Sequence, residues 1–299
     1  MVAGQRNPRH VSAATDVDRA VGGRDRTGQW PEIARQWQEV GPPLRPVAED
    51  ARFVLEAVSE WGRQPTPPRV LLLGVTPELY GLPWPAGTDF LAVDRTHAMI
   101  DVVWPGPREA ILCADWLAMG LPDCSRDIVL CDGGLHLLGY PEEQRRLVHL
   151  LANALSDEGL CILRLYVPPV EPDSPDGILA DLLGGEIRDL NILKLRLWMS
   201  LLGSPDEGVE LGTVWRAIHE VAPDLEALAT RLGWPLEHTL AINAYRGSTA
   251  RYFFLTVDQV LDLFCRDPGG FQLSDIRVPS YERGEQCPTL VLQRHADIA

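Results

Sequence analysis

Gly74 and Asp94, twenty positions apart, have the residue types and spacing that could bind a ribose-containing ligand. Gly74 ends a buried apolar run, where a glycine lets a ligand approach the backbone and the unpaired N–H groups of a helix start. Asp94 ends the next apolar run, and its carboxylate there can accept hydrogen bonds from both ribose hydroxyls. A buried strand can end in either residue for structural reasons alone, but the two together indicate an adenosyl ligand.

Short apolar runs typical of buried strands contain these residues. The run at 70–75 is continuous and bounded by prolines, which is the pattern of a strand buried on both faces of a sheet. Similar runs recur at Asp89–Asp94, 110–114, 127–131 and 160–167. Helical periodicity precedes and separates the runs, most clearly at 30–40, 48–61 and 142–155. Strands alternating with helices predict an α/β fold with a doubly wound, mostly parallel sheet.

The end of the chain breaks this alternation. After a predicted helix at 257–264 come two strand-like runs, 271–278 and 288–293, separated by a short turn. Because so short a connection cannot carry a parallel crossover, these runs are predicted to form a C-terminal antiparallel hairpin. The hairpin brings the predicted sheet to seven strands.

Residues 168–252, between the fifth predicted strand and the hairpin, have helical periodicity, as at 191–202, 211–221 and 225–232. A helical insertion here lies at the carboxyl edge of the sheet, where ligands bind in such folds, so we predict that it is a lid. Residues 29–299 are then one domain. Residues 1–28 mix Arg, Asp, Gly, Ala and Val without a period, which predicts a flexible N-terminal tail.

Charge and hydropathy disfavour two classes of partner. The 299 residues are 45% hydrophobic and carry a net charge of -15 at pH 7, which repels nucleic acids and anionic bilayers. Lys194 is the only lysine, and the arginines are scattered, often beside acids. No apolar run approaches the ~18 residues of a membrane span. The first 28 residues also lack the apolar stretch of a signal peptide.

The cysteine pattern indicates reduced thiols rather than a metal site. Structural zinc sites use closely spaced ligand pairs, and the sequence has no CxxC pair. Buried reduced thiols are typical of the cytoplasm, so we expect a cytoplasmic protein without a metal. The six cysteines are Cys113, Cys124, Cys131, Cys161, Cys265 and Cys287.

Three segments, VLLLGVTPEL, FLAVDRTHAMI and CADWLAMGLPDCSRDIVLCDGGLHLL, resemble the first four motifs of class I S-adenosylmethionine (SAM)-dependent methyltransferases. The resemblance runs from about Arg69 to Val167, and the predicted terminal hairpin extends it. It implies a Rossmann-like seven-stranded fold, SAM as the cofactor and methyl transfer as the activity.

The resemblance also implies which residues bind SAM. The Gly74 loop would hold the methionine part, and Asp94 the ribose. Asp115 and Trp116 would flank the adenine, although in structural terms Asp115 also suits a helix N-cap and Trp116 a core position. The segment after the fourth strand would line the methionine and methyl-donor side with Asp132, Gly133 and Leu135.

The Gly74 loop departs from the usual GxGxG pattern of this family, because Thr76, Pro77 and Glu78 follow in place of glycines. A pyrophosphate would need several glycines and many N–H donors, whereas SAM carries one carboxylate and one ammonium. Glu78 or Asp132 could pair with that ammonium, and we expect Thr76 in the same loop to bind SAM as well. The departure counts against a dinucleotide more than against SAM.

Methyl transfer is an in-line displacement that needs alignment of the acceptor, and a base where the acceptor has a proton to lose. His136 after the fourth strand and Tyr166 at the end of the fifth are the candidate bases, and either is also explained as a wall residue. Trp30 and Trp37 on the first helix could cap the acceptor or simply pack. Arg45 could bind a carboxylate of SAM or of an acidic substrate, or form a surface salt bridge.

The main functional hypothesis is therefore a methyltransferase acting on a small or medium-sized molecule, because the acidic surface disfavours nucleic acid and the insertion can enclose a pocket. One alternative is a SAM-binding protein without transferase activity, such as a sensor or assembly partner, since the glycine loop is altered. An NAD-dependent oxidoreductase would also use Gly74 and Asp94, but the missing glycines and the hairpin count against it.

Overall fold

The computed structural model describes residues 28–61, 67–266 and 269–295. Apart from Gly28, the tail predicted at 1–28 lies outside these residues. The strands are β1 Arg69–Leu73, β2 Asp89–Asp94, β3 Ile111–Cys113, β4 Arg126–Asp132, β5 Leu155–Arg164, β6 Val209–Glu210, β7 Arg251–Tyr252, β8 Phe271–Arg277 and β9 Thr289–Arg294.

Seven of these strands form one sheet in the order β3-β2-β1-β4-β5-β9-β8. The pairings from β3 to β5 are parallel, and β9 runs antiparallel to both β5 and β8. The short turn before β9 thus closes the hairpin, and β9 enters the sheet between β5 and β8. This confirms the predicted α/β fold with a doubly wound, mostly parallel seven-stranded sheet and a C-terminal antiparallel hairpin.

The central strands are buried on both faces, as their continuous apolar runs predict. Val70, Leu71 and Leu72 of β1 and Ile128 to Leu130 of β4 are each 0% exposed. Polar residues lie at the ends of these strands, such as Arg69 at the start of β1 and Asp132 at the end of β4.

The helices are α1 Trp30–Arg35, α2 Ala48–Glu60, α3 Pro77–Tyr80, α4 His97–Val102, α5 Glu142–Ala154, α6 Pro175–Gly184, α7 Leu190–Ser200, α8 Leu211–Val221, α9 Leu225–Leu232, α10 Leu236–Leu240 and α11 Val257–Leu261. Within the described ranges, no helix combines the length and apolar character needed to cross a membrane.

Alternate side chains of each strand pack against helices on opposite faces of the sheet. Leu72 and Leu130 pack with α2 and α4 on one face. Leu71 and Val129 pack with α5 and α11 on the other face. These two layers hold the carboxyl ends of β1, β2 and β4 at one edge, where the predicted site residues lie.

The insertion after β5 forms a third apolar cluster. Leu182, Leu193, Leu195 and Leu197 of α6 and α7 are each 0% exposed and pack with α8, α9 and the turn Ala241–Tyr245. The segment is largely helical, as predicted, but β6 and β7 pair antiparallel within it, which the helical prediction missed. Strands of two residues are too short to show a period in the sequence.

Tertiary packing shifts several predicted boundaries. The helix expected at 30–40 ends as α1 at Arg35 and continues as a 3-10 turn, Trp37–Glu39, where the Arg45 guanidinium lies over the Trp37 ring. The helix expected at 257–264 is α11 followed by a π-helical turn, Asp262–Arg266. The start of β5 moves back to Leu155, because that residue pairs with Arg126 of β4.

All six cysteines are free thiols, but they are not all buried as expected. Cys131, Cys161 and Cys287 are buried, whereas Cys113 and Cys124 are exposed. Cys113 lies on β3, an edge strand with a neighbour on one side only, so its surroundings leave it open to solvent. The expectation of burial was therefore wrong for these two residues.

Candidate functional site

A cavity of about 170 Å³ opens at the carboxyl ends of β1, β2 and β4, beneath the insertion. Most of the residues predicted to bind or react contribute to its walls, although they come from elements far apart in sequence. The predicted residues that line it are Trp30, Trp37, Gly74, Thr76, Asp94, Asp115, Trp116, Asp132, Gly133, His136 and Tyr166. Glu78, Arg45 and Leu135 are not among its lining residues.

Gly74 and Trp116 form one wall by bonding to the same carbonyl. The Gly74 N–H donates to the Val93 oxygen at 2.9 Å, and the Trp116 Nε1 donates to it at 2.7 Å. Gly74 has a φ of +101°, which favours glycine, so the turn after β1 needs this residue type. Trp116 also packs on the core, so it has both roles that the sequence allowed.

Asp94 places a carboxylate at the end of β2, on the cavity wall. Its Oδ1 accepts a hydrogen bond from the Thr96 N–H at 2.7 Å, which fixes the orientation of the group. Burial raises the pKa of the Asp94 carboxyl, and the hydrogen bonds from Thr96 oppose that rise. A carboxylate so placed can accept hydrogen bonds from the hydroxyls of a ligand.

Asp115 lines the cavity and caps a helical turn at the same time. Its Oδ1 accepts a hydrogen bond from the Leu117 N–H at 2.7 Å at the start of the turn Trp116–Ala118. Its Oδ2 lies 3.9 Å from Nη1 of Arg95, another cavity residue. The N-cap interpretation and the ligand-binding interpretation are therefore compatible at this position.

Glycines after β4 allow close packing beneath the cavity. A Cβ on Gly133 would lie 2.7 Å from the Tyr166 ring, and Gly133 has a φ of +56°. A Cβ on Gly134 would lie 2.7 Å from both the Trp116 ring and the Cys131 sulfur. Larger residues would push these rings out of place. Leu135 follows, 5% exposed, as part of the core rather than the wall.

The Asp132 carboxylate already has a cationic partner. Its Oδ1 accepts a hydrogen bond from Nε of Arg164 at 2.5 Å, and the two side chains are only 7% and 4% exposed. Thr76 Oγ1 lies 3.4 Å from Oδ2. The charge of Asp132 is thus largely balanced within the protein, which weakens it as a partner for the SAM ammonium.

Glu78 is also paired. Its Oε1 accepts a hydrogen bond from Nε of Arg45 at 2.6 Å, and the Arg45 Nη1 donates to the Trp37 carbonyl at 3.3 Å. The Arg45 guanidinium lies 5.2 Å from the centre of the Trp37 ring. Arg45 and Glu78 therefore support Trp37 from behind the cavity wall, an arrangement close to the salt bridge considered from the sequence.

Tyr166 is held in a buried hydrogen-bond network. Its hydroxyl donates to the Leu44 carbonyl at 2.8 Å and accepts from the Arg164 Nη2 at 3.2 Å. Burial raises the pKa of Tyr166 well above its usual range, and Arg164 opposes the rise. The hydroxyl therefore keeps its proton at neutral pH, and its geometry suits the positioning of neighbours better than proton abstraction.

His136 lies in the buried turn Leu135–Leu137 among aromatic rings. Its ring stacks at 19° on Phe254, with 5.0 Å between centroids, and lies 4.5 Å from the ring centre of Tyr252. Burial lowers the pKa of His136 to about 3, so the imidazole is neutral throughout the physiological pH range. A neutral imidazole has a free lone pair, which a base requires.

The insertion adds cavity residues that the sequence interpretation did not assign: Asn191, Lys194, Trp198, Tyr245 and Tyr252. Lys194 is 7% exposed and lies with its Nζ 5.2 Å from the centre of the Tyr245 ring. Burial lowers its pKa to about 8. One signal was visible: the only lysine of the chain interrupts the apolar run NILKLRLWMS.

No protein-family profile matches the chain, and no curated protein sequence does. Solved structures align with the chain over most of its length. A protein of Rhodobacter sphaeroides proposed to be a Zn-dependent alcohol dehydrogenase aligns at a TM-score of 0.53 and 16% identity, covering 89% of this chain and 98% of that chain. A SAM-dependent methyltransferase of Aquifex aeolicus aligns at 0.46 and 13% identity, covering 88% and 98%. The N-methyltransferase NodS of Bradyrhizobium japonicum, in complex with S-adenosyl-L-homocysteine, aligns at 0.44 and 10%, covering 88% and 98%.

At 16% identity the likeness to the Rhodobacter protein concerns the fold alone. Within the part of the chain that the structure describes, no group of three or more His, Cys, Asp or Glu side chains could hold a metal ion. The sheet order, with β9 antiparallel between β5 and β8, is that of class I SAM-dependent methyltransferases. The chain therefore has the Rossmann-like, seven-stranded fold of that family.

Proposed function

We propose that this chain is a SAM-dependent methyltransferase that acts on a small or medium-sized molecule. The main support is the Asp94 carboxylate at the end of β2, in one cavity with the Gly74 turn and the Trp116 indole. The carboxylate can accept hydrogen bonds from ribose hydroxyls, the indole can pack on adenine, and the glycine leaves room beside the backbone. These features meet the requirements of an adenosyl group.

The other half of the cavity supports the second part of the proposal. Its walls carry the rings of Trp30, Trp37, Trp198 and Tyr245, from α1, the turn after it, α7 and the turn Ala241–Tyr245. Apolar walls with a few polar groups are typical of sites for small organic molecules. We propose that the insertion, residues 168–252, acts as a lid that aligns the acceptor and excludes water.

Bound SAM would supply an electrophilic methyl group on a sulfonium. The protein then has to orient the acceptor and, for an acceptor with a proton to lose, take up that proton. We assign the proton to His136, whose imidazole is neutral and lines the cavity. Tyr166 holds Arg164 and the Leu44 carbonyl in place instead. The low pKa of His136 makes it a weak base, which suits an acceptor whose proton becomes acidic once the methyl group is attached.

The experiment for this proposal is calorimetry with SAM, S-adenosylhomocysteine and NAD, followed by incubation with methyl-labelled SAM and a small-molecule extract. We expect both adenosyl compounds to bind and label to enter the small-molecule fraction. Binding of NAD alone would overturn the proposal in favour of an oxidoreductase. Binding of SAM without transfer to any extract would favour a sensor, an alternative consistent with the weak basicity of His136.

Asp94→Ala should raise the Kd of S-adenosylhomocysteine by about 10- to 150-fold, the equivalent of the ~1.5–3 kcal/mol that hydrogen bonds to a charged group contribute. The matched control is Asp89→Ala, at the exposed start of the same strand, where the carboxylate pairs with Arg126 at 3.1 Å. The control should bind S-adenosylhomocysteine like the unmodified protein. Equal affinities of the two variants in calorimetry would show that Asp94 does not hold the ribose.

A further inference from the structure

Lys194 is a buried cation that has no partner anion among the residues the structure describes. It is the only lysine of the chain and lies on α7, 7% exposed, on the cavity wall. Among the residues that the structure describes, no carboxylate pairs with its Nζ and no oxygen accepts a hydrogen bond from it; its contact is with the Tyr245 ring at 5.2 Å. A lone buried ammonium is unfavourable for folding, so its presence in the cavity calls for a ligand.

The groups around Lys194 are aromatic or neutral donors. Trp198, one helical turn along α7, packs with Tyr245, Tyr252 and Phe254 at centroid distances of 6.4, 5.4 and 5.6 Å. Its Nε1 is buried with no hydrogen-bond acceptor in the described structure. An ammonium can only donate hydrogen bonds, so a ligand that binds Lys194 has to present acceptor oxygens.

The titratable groups that face Lys194 do not neutralise it. Burial lowers the pKa of His238 of α10; Asp189 and Glu39 oppose this, and Lys194 adds to it. Burial keeps Tyr245 and Tyr252 protonated by raising their pKa values. Among the described residues the ammonium therefore meets an aromatic ring and no neutralising carboxylate, and a bound anion would supply the missing charge.

We propose that Lys194 binds the carboxylate of an aromatic methyl acceptor whose ring packs among the tryptophan and tyrosine side chains of the cavity. This inference rests on the proposed function and names the substrate class for the same site. An aromatic ring matches the walls, because flat rings pack on Trp and Tyr faces. A carboxylate matches the cation, because a hydrogen bond from an ammonium to a carboxylate is charge-assisted and strong.

The test is calorimetry of the S-adenosylhomocysteine-saturated protein with benzoate, indole-3-carboxylate and 2-naphthoate, each beside its neutral carboxamide. At pH 7 at least one acid should bind at least about tenfold more tightly than its amide. Lys194→Met should remove that preference and Lys194→Arg should keep part of it. Arg231→Met, which removes an exposed cation from α9, should leave it unchanged. Phenol and 2-naphthol are titrated in the same way. Tighter binding of these phenols than of the acids would overturn the proposal that Lys194 binds a carboxylate.

Lys194→Met should bind S-adenosylhomocysteine as the unmodified protein does, so loss of acid binding alone identifies the lysine as the acceptor anchor. If S-adenosylhomocysteine binds neither the unmodified protein nor Lys194→Met, the acid titrations are repeated without it. The proposed SAM-dependent function and the proposed role of Lys194 are then tested separately. Equal binding of every acid and amide, or no binding of any acid, overturns the inference.

Proton uptake on binding of the acid gives a second readout, which a lysine with only a structural role would not produce. Burial lowers the pKa of Lys194 to about 8, and a bound carboxylate raises it again. At pH 8.5 the binding of the acid should therefore take up protons, which calorimetry in buffers of different ionisation enthalpy measures. Lys194→Met should take up none. Binding without proton uptake in the unmodified protein would contradict the proposal.

Discussion

Arg164→Met should lower the free energy of unfolding by about 3–5 kcal/mol, the cost of leaving a buried charge without its partner. Arg164 lies at the end of β5 and bonds to Asp132 at 2.5 Å and to the Pro43 carbonyl at 2.8 Å. It also donates to the hydroxyls of Tyr166 and Tyr281, each at 3.2 Å. Methionine fills the volume but leaves the Asp132 carboxylate buried and unpaired.

Urea denaturation followed by tryptophan fluorescence measures this effect. The control is Arg277→Met on β8, because the carboxylates paired with Arg277 are 41–67% exposed and such pairs contribute about 1 kcal/mol or less. Adding Asp132→Asn to Arg164→Met should recover part of the loss, since it removes the unpaired charge. A loss no larger than that of Arg277→Met would show that the pair does not support the site.

Lys194→Met should raise the free energy of unfolding of the ligand-free protein by about 3 kcal/mol at pH 7. Burial lowers the pKa of Lys194 from 10.5 to about 8, and each pKa unit corresponds to about 1.4 kcal/mol. Methionine keeps most of the packing of the lysine stem and removes the buried charge. A residue that costs stability and serves binding is the trade-off expected at a functional site.

The size of this gain should fall as pH rises. Below pH 8 the lysine is protonated in both the folded and unfolded chains, so the whole penalty is present. Between about pH 8 and 10.5 the unfolded chain binds a proton that the folded chain lacks, so the unmodified protein becomes more stable with pH. Tyr245 and Tyr252 are present in both proteins and cancel in the comparison, whereas removing Lys194 also removes its lowering effect on the pKa of His238. Denaturation at pH 7 and 9.5 measures the difference, and a constant difference would contradict the account.

The sheet could be predicted from the sequence because its strands are short and buried. The run at 70–75 and the segment DFLAVD are largely apolar without alternation between apolar and polar residues. This is the pattern of parallel strands that are buried on both faces. The hairpin could be predicted from the length of the turn before β9 alone, because so short a connection cannot join parallel strands. The pairing of β6 with β7 could not be predicted, since two residues carry no pattern and only the folded insertion brings them together.

The candidate site could be predicted only where a residue lies at a strand end. Gly74, Asp94, Asp115 and Asp132 follow four parallel strands, so the topology alone brings them to one edge of the sheet. The partners of these residues come from elsewhere in the chain. The pairing of Asp132 with Arg164 follows from the register of β4 and β5, which no local pattern encodes. This is why Asp132 looked available for an ammonium in the sequence.

For the same reason, the site residues of the insertion could be identified only from the folded structure. Lys194 stood out only by composition, and its position over the cavity depends on how α7 packs against β7 and the turn Ala241–Tyr245. His136 was selected by its place after β4. Its burial among aromatic rings, which sets its pKa, arises from residues more than a hundred positions away, such as Tyr252 of the insertion and Phe254 just after it.

The central claim is that an adenosyl group lies across the ends of β1 and β2 with its ribose on Asp94. A crystal structure of the protein grown with S-adenosylhomocysteine tests it directly. The account predicts both ribose hydroxyls within hydrogen-bond distance of the Asp94 carboxylate and the adenine beside Trp116. Ligand density elsewhere, with Asp94 making only its contact to Thr96, would contradict it.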